Sequence, residues 1–302
     1  MGLFIEPPTD ADRGYLNLWE AKSNGEMAIR AALEELWVKY EPYADAGFPS
    51  KFARHPDEHF WEMYLTVLLL DEGKKIRPRK DVLKAEREVG PDICVLEQGR
   101  KVWIECVTPG AGKEGHPDSV PELGGKRTLH AAPRRQVELR ITSSLKQKRD
   151  QIRAAREKGI ISAEDVSVVA FSGANFWAQS ATGGIPHALS AVYPIGEEYM
   201  IVNGDTFEVI ESKYALSTKI PRKGGPDIAR TAFLSGEYPE LGGLIWSRRT
   251  IGNFVGQGCD FVYAHNATAQ TKLDAKWARW SREFLIHTTK DEYVLEELTQ
   301  EK

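Results

Sequence analysis

Gly90-Pro91-Asp92-Ile93-Cys94-Val95-Leu96-Glu97-Gln98-Gly99-Arg100-Lys101-Val102-Trp103-Ile104-Glu105-Cys106-Val107 reads as two strands joined by a tight turn. One acid stands at the entry to the first strand and another near the exit of the second. A two-residue loop at Gln98-Gly99 sets Glu97 opposite Arg100, and the same register sets Asp92 opposite Glu105. Directly opposed residues of an antiparallel pair have Cβ atoms roughly 5 Å apart on one face. Two carboxylates held that close repel and destabilise the hairpin unless something positive sits between them. A divalent cation meets that requirement, so the hairpin is a candidate metal site. The reading depends on register, because a three-residue loop with a bulge would slip the pairing by one and separate the acids. The plain alternative is a surface hairpin with two solvated acids.

Working outward, the chain before the hairpin is helical. A first helical region spans about residues 14–40, with Leu16, Leu18, Trp19, Met27, Ile29, Leu33, Leu36 and Trp37 as its buried side. A second follows His55-Pro56-Asp57 and runs to about Asp71, stopped by Gly73. Its run from Phe60 to Leu70 is apolar nearly all round, which means burial. Glu62 lies inside that run and needs a partner there, either a metal or a base such as Arg54, or else a raised pKa. After the hairpin comes a Gly/Pro-rich loop from Pro109 to Pro133, then a long helix from about Arg135 to Lys158. Val137, Ile141, Leu145, Ile152 and Ala155 form its core-facing stripe. Lys148 falls on that stripe, so it must either snorkel out or meet an anion inside. Residues 166–171 read as a buried strand, 199–202 and 207–210 as a hairpin, and 241–247 and 260–263 as further strands. The order of elements fits an α/β fold, a mixed central sheet flanked by helices.

Composition sets limits. The 302 residues are 41% hydrophobic and 28% charged, enough to bury a sizeable core. No apolar run approaches the ~20 residues that span a bilayer. The three cysteines form no CxxC pair, so a reducing, cytoplasmic setting is expected, with no membrane partner. The net charge of −4 is unevenly spread: residues 126–158 hold eleven Lys or Arg against three acids, a local +8. Such a basic face can bind a phosphate backbone; otherwise it is a solvated helix. Trp177, Trp246, Trp277 and Trp280 are candidates for stacking on bases, or for the core. There is no HExxH, phosphate loop or nucleophile elbow.

In this order, Glu62, Asp92, Glu105, the 135–158 helix and the 166–171 strand, the chain resembles the PD-(D/E)XK nuclease superfamily over about residues 52–175. The resemblance implies a restriction-endonuclease-like core, which is expected to extend over residues 51–270 with later strands completing the sheet; residues 1–50, which the resemblance does not explain, are expected as a helical extension and 271–302 as a C-terminal helix or polar tail. It implies a Mg²⁺ or Mn²⁺ site made by Asp92, Glu105 and the backbone carbonyl of Cys106, with Glu62 as an accessory ligand. Where that family carries Lys two residues after the second acid, this chain has Val107. Some members take the base from the following helix, and Lys148 would play that part. Glu62, Asp92, Glu105 and Lys148 are then the catalytic set. Arg134, Arg135, Arg140, Arg149 and Arg153 are the candidates for nucleic-acid backbone contacts, DNA in the first place, and a homodimer would let the enzyme cut both strands. A non-catalytic nucleic-acid-binding or protein-interaction module on the same fold is the alternative.

Overall fold

The computed structural model describes residues 2–85, 90–121, 133–176, 184–289 and 292–298. Helices α1 (Arg13–Glu20), α2 (Asn24–Tyr40), α3 (Phe48–Arg54) and α4 (Pro56–Asp71) come first. They are followed by β1 (Lys75–Arg77), α5 (Arg79–Ala85), β2 (Ile93–Leu96), β3 (Lys101–Val107), α6 (Arg134–Glu157) and β4 (Val166–Ser172). Then come α7 (His187–Ser190), β5 (Ile195–Val202), β6 (Val209–Leu216), β7 (Lys219–Ile220) and β8 (Ile228–Ala229). The chain closes with β9 (Gly243–Ser247), β10 (Val262–His265), β11 (Arg282–Thr288) and β12 (Tyr293–Leu298). Eight strands form one mixed sheet in the order β1-β2-β3-β4-β9-β10-β11-β12. Within it β3, β4 and β9 run parallel, so their carboxyl ends share one rim.

Local chemistry explains the helix boundaries. The single helical stretch expected at 14–40 is two helices. Ala21 adopts a left-handed conformation that stops α1, and Ser23 with Glu26 forms a capping box that starts α2. Pro56 opens α4 with Asp57 and Glu58 in its first turn, and Gly73, at φ 79°, follows its end. The apolar belt of α4 lies against one face of the sheet, where Trp61 Nε1 donates to the Ala170 carbonyl at 2.9 Å. That face gathers Phe60, Trp61 and Leu65 with Ile93, Val102, Ile104 and Val168. On the other face, Val137, Ile141, Leu145 and Ile152 of α6 pack with Trp103, Val169, Phe171 and Trp246. Among the described residues no helix is long and apolar enough to cross a membrane.

The C-terminal part differs from the sequence reading. Residues 282–288 and 293–298 are strands of the main sheet, not a helix or tail. The first fifty residues carry helices, as expected, and Tyr15, Leu33, Trp37, Tyr40 and Phe48 share a core with the strands. Of the four tryptophans read as base-stacking or core residues, Trp246, Trp277 and Trp280 are buried in the core, while Trp177 lies outside the described residues.

Beneath the base of the β5–β6 ribbon, Glu138 is fully buried. It accepts from Arg134 Nε at 2.8 Å and from Arg230 Nη2 at 2.6 Å. Both arginines also donate to the Ile195 carbonyl. Burial pushes the Glu138 carboxyl up, against the pull of the two guanidiniums. Removing one member of a buried pair leaves an uncompensated charge. Glu138→Ala is therefore expected to lower the free energy of unfolding by about 3–5 kcal/mol, read from urea denaturation. The Arg153–Glu240 contact, whose arginine side is open to solvent, should contribute no more than ~1 kcal/mol when broken by Arg153→Ala.

Candidate active site

The hairpin register is the one that brings the acids together. Ile93 pairs with Ile104, Cys94 with Trp103 and Leu96 with Lys101, and Gly99 takes the turn at φ 80°. Continued one step, this sets Asp92 beside Glu105. The Cys106 N–H donates to Asp92 Oδ2 at 2.8 Å, which ties the first acid to the second strand. The two acids stand at the rim where β3, β4 and β9 end, the side of an open α/β sheet on which ligands bind.

Four neighbours complete the arrangement. The α6 stripe is seated by Ile141, Leu145 and Ile152, which aims Lys148 at the rim. Lys148 Nζ donates to Glu105 Oε1 at 2.6 Å, with both side chains under a fifth exposed. Glu62 reaches the same rim from α4, and Tyr40 of α2 donates its hydroxyl to Glu62 Oε1 at 2.6 Å. Arg54 does not serve Glu62, because it pairs with Asp10. Arg79 stands 3.9 Å from Asp92 and donates to the Gly90 and Pro91 carbonyls, fixing the approach to β2. Sequence reasoning missed Tyr40 and Arg79. Tyr40 lies in a helix that reads only as amphipathic, and Arg79 sits in an Arg-Pro-Arg-Lys stretch with no local signal.

The electrostatics follow from this crowding. Burial first, then the charges of Glu105 and Glu62, push the Asp92 carboxyl well above the usual range, against Arg79 and the Cys106 N–H. Burial lowers Lys148, but Glu105 and Asp92 outweigh it and the net shift is upward. Lys148 therefore stays protonated, a donor of charge and hydrogen bonds rather than a general base. Burial and the neighbouring acids raise the Cys106 thiol and the Tyr40 hydroxyl well above their ordinary values, so both remain neutral. A neutral thiol leaves carboxylate and carbonyl oxygens as the hard donors here. Among the described residues no three His, Cys, Asp or Glu side chains form a ready cage for a metal. A Mg²⁺ site made of one or two carboxylates, waters and substrate phosphate does not require one.

Glu105 opens onto a cleft of about 380 Å³ lined by Gly90, Pro91, Gln151, Ile152 and Lys158. A larger cavity of about 780 Å³ holds none of the rim acids; Arg140, Lys146 and Arg149 of α6 line it, facing Asp227 and Tyr238. The five arginines of the basic segment are thus differently placed. Arg134 is committed to the Glu138 network and the ribbon base, so it is a structural residue. Arg135 binds Asp118 and holds its carboxyl down to about 2. Arg140 donates to the Gly110 carbonyl, Arg149 lies over the Tyr238 ring, and Arg153 pairs with Glu240.

No protein-family model, curated protein or solved structure matches the chain.

The raised Asp92 pKa has a definite sign. Between the ordinary carboxylate pKa and the raised one, the fold keeps a proton that the unfolded chain has released, so stability falls as pH rises through that window. Asp92→Asn removes the cost of ionisation while keeping an acceptor for the Cys106 N–H. In chelator at pH 7–8 the variant should melt above the parent, and the gap should close towards pH 4. A variant that melts below the parent at neutral pH would show that Asp92 is not electrostatically strained.

Proposed function

We propose that this chain is a divalent-metal-dependent nuclease that hydrolyses phosphodiester bonds, of DNA in the first place. In this reading the core is a restriction-endonuclease-like variant of the PD-(D/E)XK type, with its lysine carried by α6. The 2.6 Å contact between Lys148 and Glu105 carries the reading. It answers the departure at Val107, because a cation from the next helix stands beside the second acid.

The donor set suits Mg²⁺ or Mn²⁺: Asp92 and Glu105 as hard carboxylate ligands, with the Cys106 carbonyl as a third oxygen. When bound, the cation lowers the pKa of a coordinated water and neutralises charge at phosphorus. Lys148, kept protonated, donates to a phosphate oxygen as negative charge develops there. Glu62, oriented by the Tyr40 hydroxyl, accepts a hydrogen bond from the attacking water. Arg140, Arg149 and Arg153, with Lys158 at the smaller cleft, supply sequence-independent contacts to the phosphate backbone.

Cleavage of linear, circular and single-stranded DNA and of RNA, assayed with Mg²⁺ or Mn²⁺ against an EDTA control, tests the reading. Metal-dependent cutting is expected, lost in Asp92→Ala and Glu105→Ala and reduced by about 10²–10³ in Lys148→Ala. No cutting of any substrate, with parent and variants folded and binding DNA equally well, would instead favour a binding module in which Val107 marks a lost activity.

A further inference from the structure

The cavity of about 780 Å³ beside α6 contains none of the rim acids, and its volume lies in the ~300–1,000 Å³ range of small-molecule sites. Arg140, Ser143, Lys146 and Arg149 follow one another at three-residue steps along α6, so each side chain neighbours the next. Lys113 and Arg222 join them from two other segments. Arg149 is matched by Asp150, and the Asp118 carboxylate at the same cavity is occupied by Arg135 and the Lys223 and Gly224 N–H groups. Lys113, Arg140, Lys146 and Arg222 form no ion pair among the described residues. Four unmatched cations therefore surround one cavity against two free acids, Asp227 and Glu237. A concave wall of one sign focuses its field inward and draws an anion.

The cavity is not lined by charge alone. Leu139, Leu145 and Ala232 give it apolar surface. The Arg149 guanidinium lies 4.6 Å from the centre of the Tyr238 ring and donates to the Glu237 carbonyl, so it is held flat. A planar guanidinium fixed in this way is a stacking surface for a base.

We propose that this cavity binds a free nucleotide whose base carries an amino group. The phosphate takes the unmatched cations, through charge-assisted hydrogen bonds from arginine and lysine. The base takes the Arg149–Tyr238 platform, and its amino group donates to Asp227 or Glu237. Guanine suits a carboxylate best, because its ring N–H and amino N–H stand side by side; uracil offers no amino group. Inorganic phosphate leaves the platform and the acids unused. The assignment goes beyond the nuclease reading, which draws on Arg140 and Arg149 only for backbone contacts, and it does not depend on Asp92, Glu105 or Glu62.

Calorimetric titration of the full chain at low salt in EDTA tests this, with GMP, UMP, guanosine, inorganic phosphate and a short single-stranded oligodeoxynucleotide as probes. Saturable binding of GMP is expected, about tenfold or more tighter than that of UMP, guanosine or phosphate. Lys146→Glu and Arg222→Glu should each weaken GMP binding by about tenfold or more. Both side chains are exposed and unpaired, so both variants should give the circular dichroism of the parent. Lys213→Glu makes the same change of charge on the β5–β6 ribbon and should bind GMP like the parent. Asp92→Ala should also bind like the parent, which separates this outcome from the fate of the nuclease reading. No saturable GMP binding, equal binding of UMP or guanosine, or affinity unmoved by both reversals would overturn the proposal. So would equal weakening by Lys213→Glu, or an oligodeoxynucleotide that needs Lys146 and Arg222 where GMP does not bind.

Discussion

Mutual repulsion of three carboxylates at one rim of the sheet is the constraint around which the site is organised. Asp92 and Glu105 are fixed by the register of one hairpin, and Glu62 adds its charge from the helix on the opposite face. A fold optimised only for stability would not gather them. The surrounding chain offsets part of the repulsion with Lys148, Arg79, the Cys106 N–H and the Tyr40 hydroxyl. What remains appears as the raised Asp92 carboxyl. Sites that store such a cost are the places where function and stability pull apart.

Helix α6 links this rim to the rest of the molecule. Its apolar stripe sits in the second core and fixes the helix phase, and the phase decides that Lys148 faces Glu105 while Lys146 and Arg149 face the larger cavity. At its amino end, Arg134 and Glu138 close a buried ionic network that anchors the ribbon. One helix therefore carries a core stripe, a site lysine, an anchoring arginine and a basic outer face. The high charge of this segment reflects several separate roles rather than one binding surface.

Much of this was legible in the chain. The two-residue Gln-Gly turn determines the hairpin register, so the approach of Asp92 and Glu105 could be read from the turn, although the strands are apolar on both faces and show no alternation of their own. The 3.6-residue stripe of α6 likewise placed Lys148 on the inner side. Contacts between distant segments were not legible. Tyr40 meets Glu62 across 22 positions, through a helix whose polar pattern gives no hint of a site. Arg134 resembled its basic neighbours in sequence but is distinguished by the buried Glu138 four residues on. The C-terminal strands were hidden because β12 is an edge strand rich in glutamate, whose charges pair with Arg282 and His287 of β11 rather than marking a tail.

Asp92 and Glu105 are proposed to hold a divalent cation together, and calorimetric titration of Mn²⁺ into the protein without nucleic acid tests this most directly. Saturable binding by the parent is expected, abolished separately by Asp92→Ala and by Glu105→Ala, with both variants folded. Binding unchanged in both variants, or no binding by the parent at millimolar Mn²⁺, would contradict it.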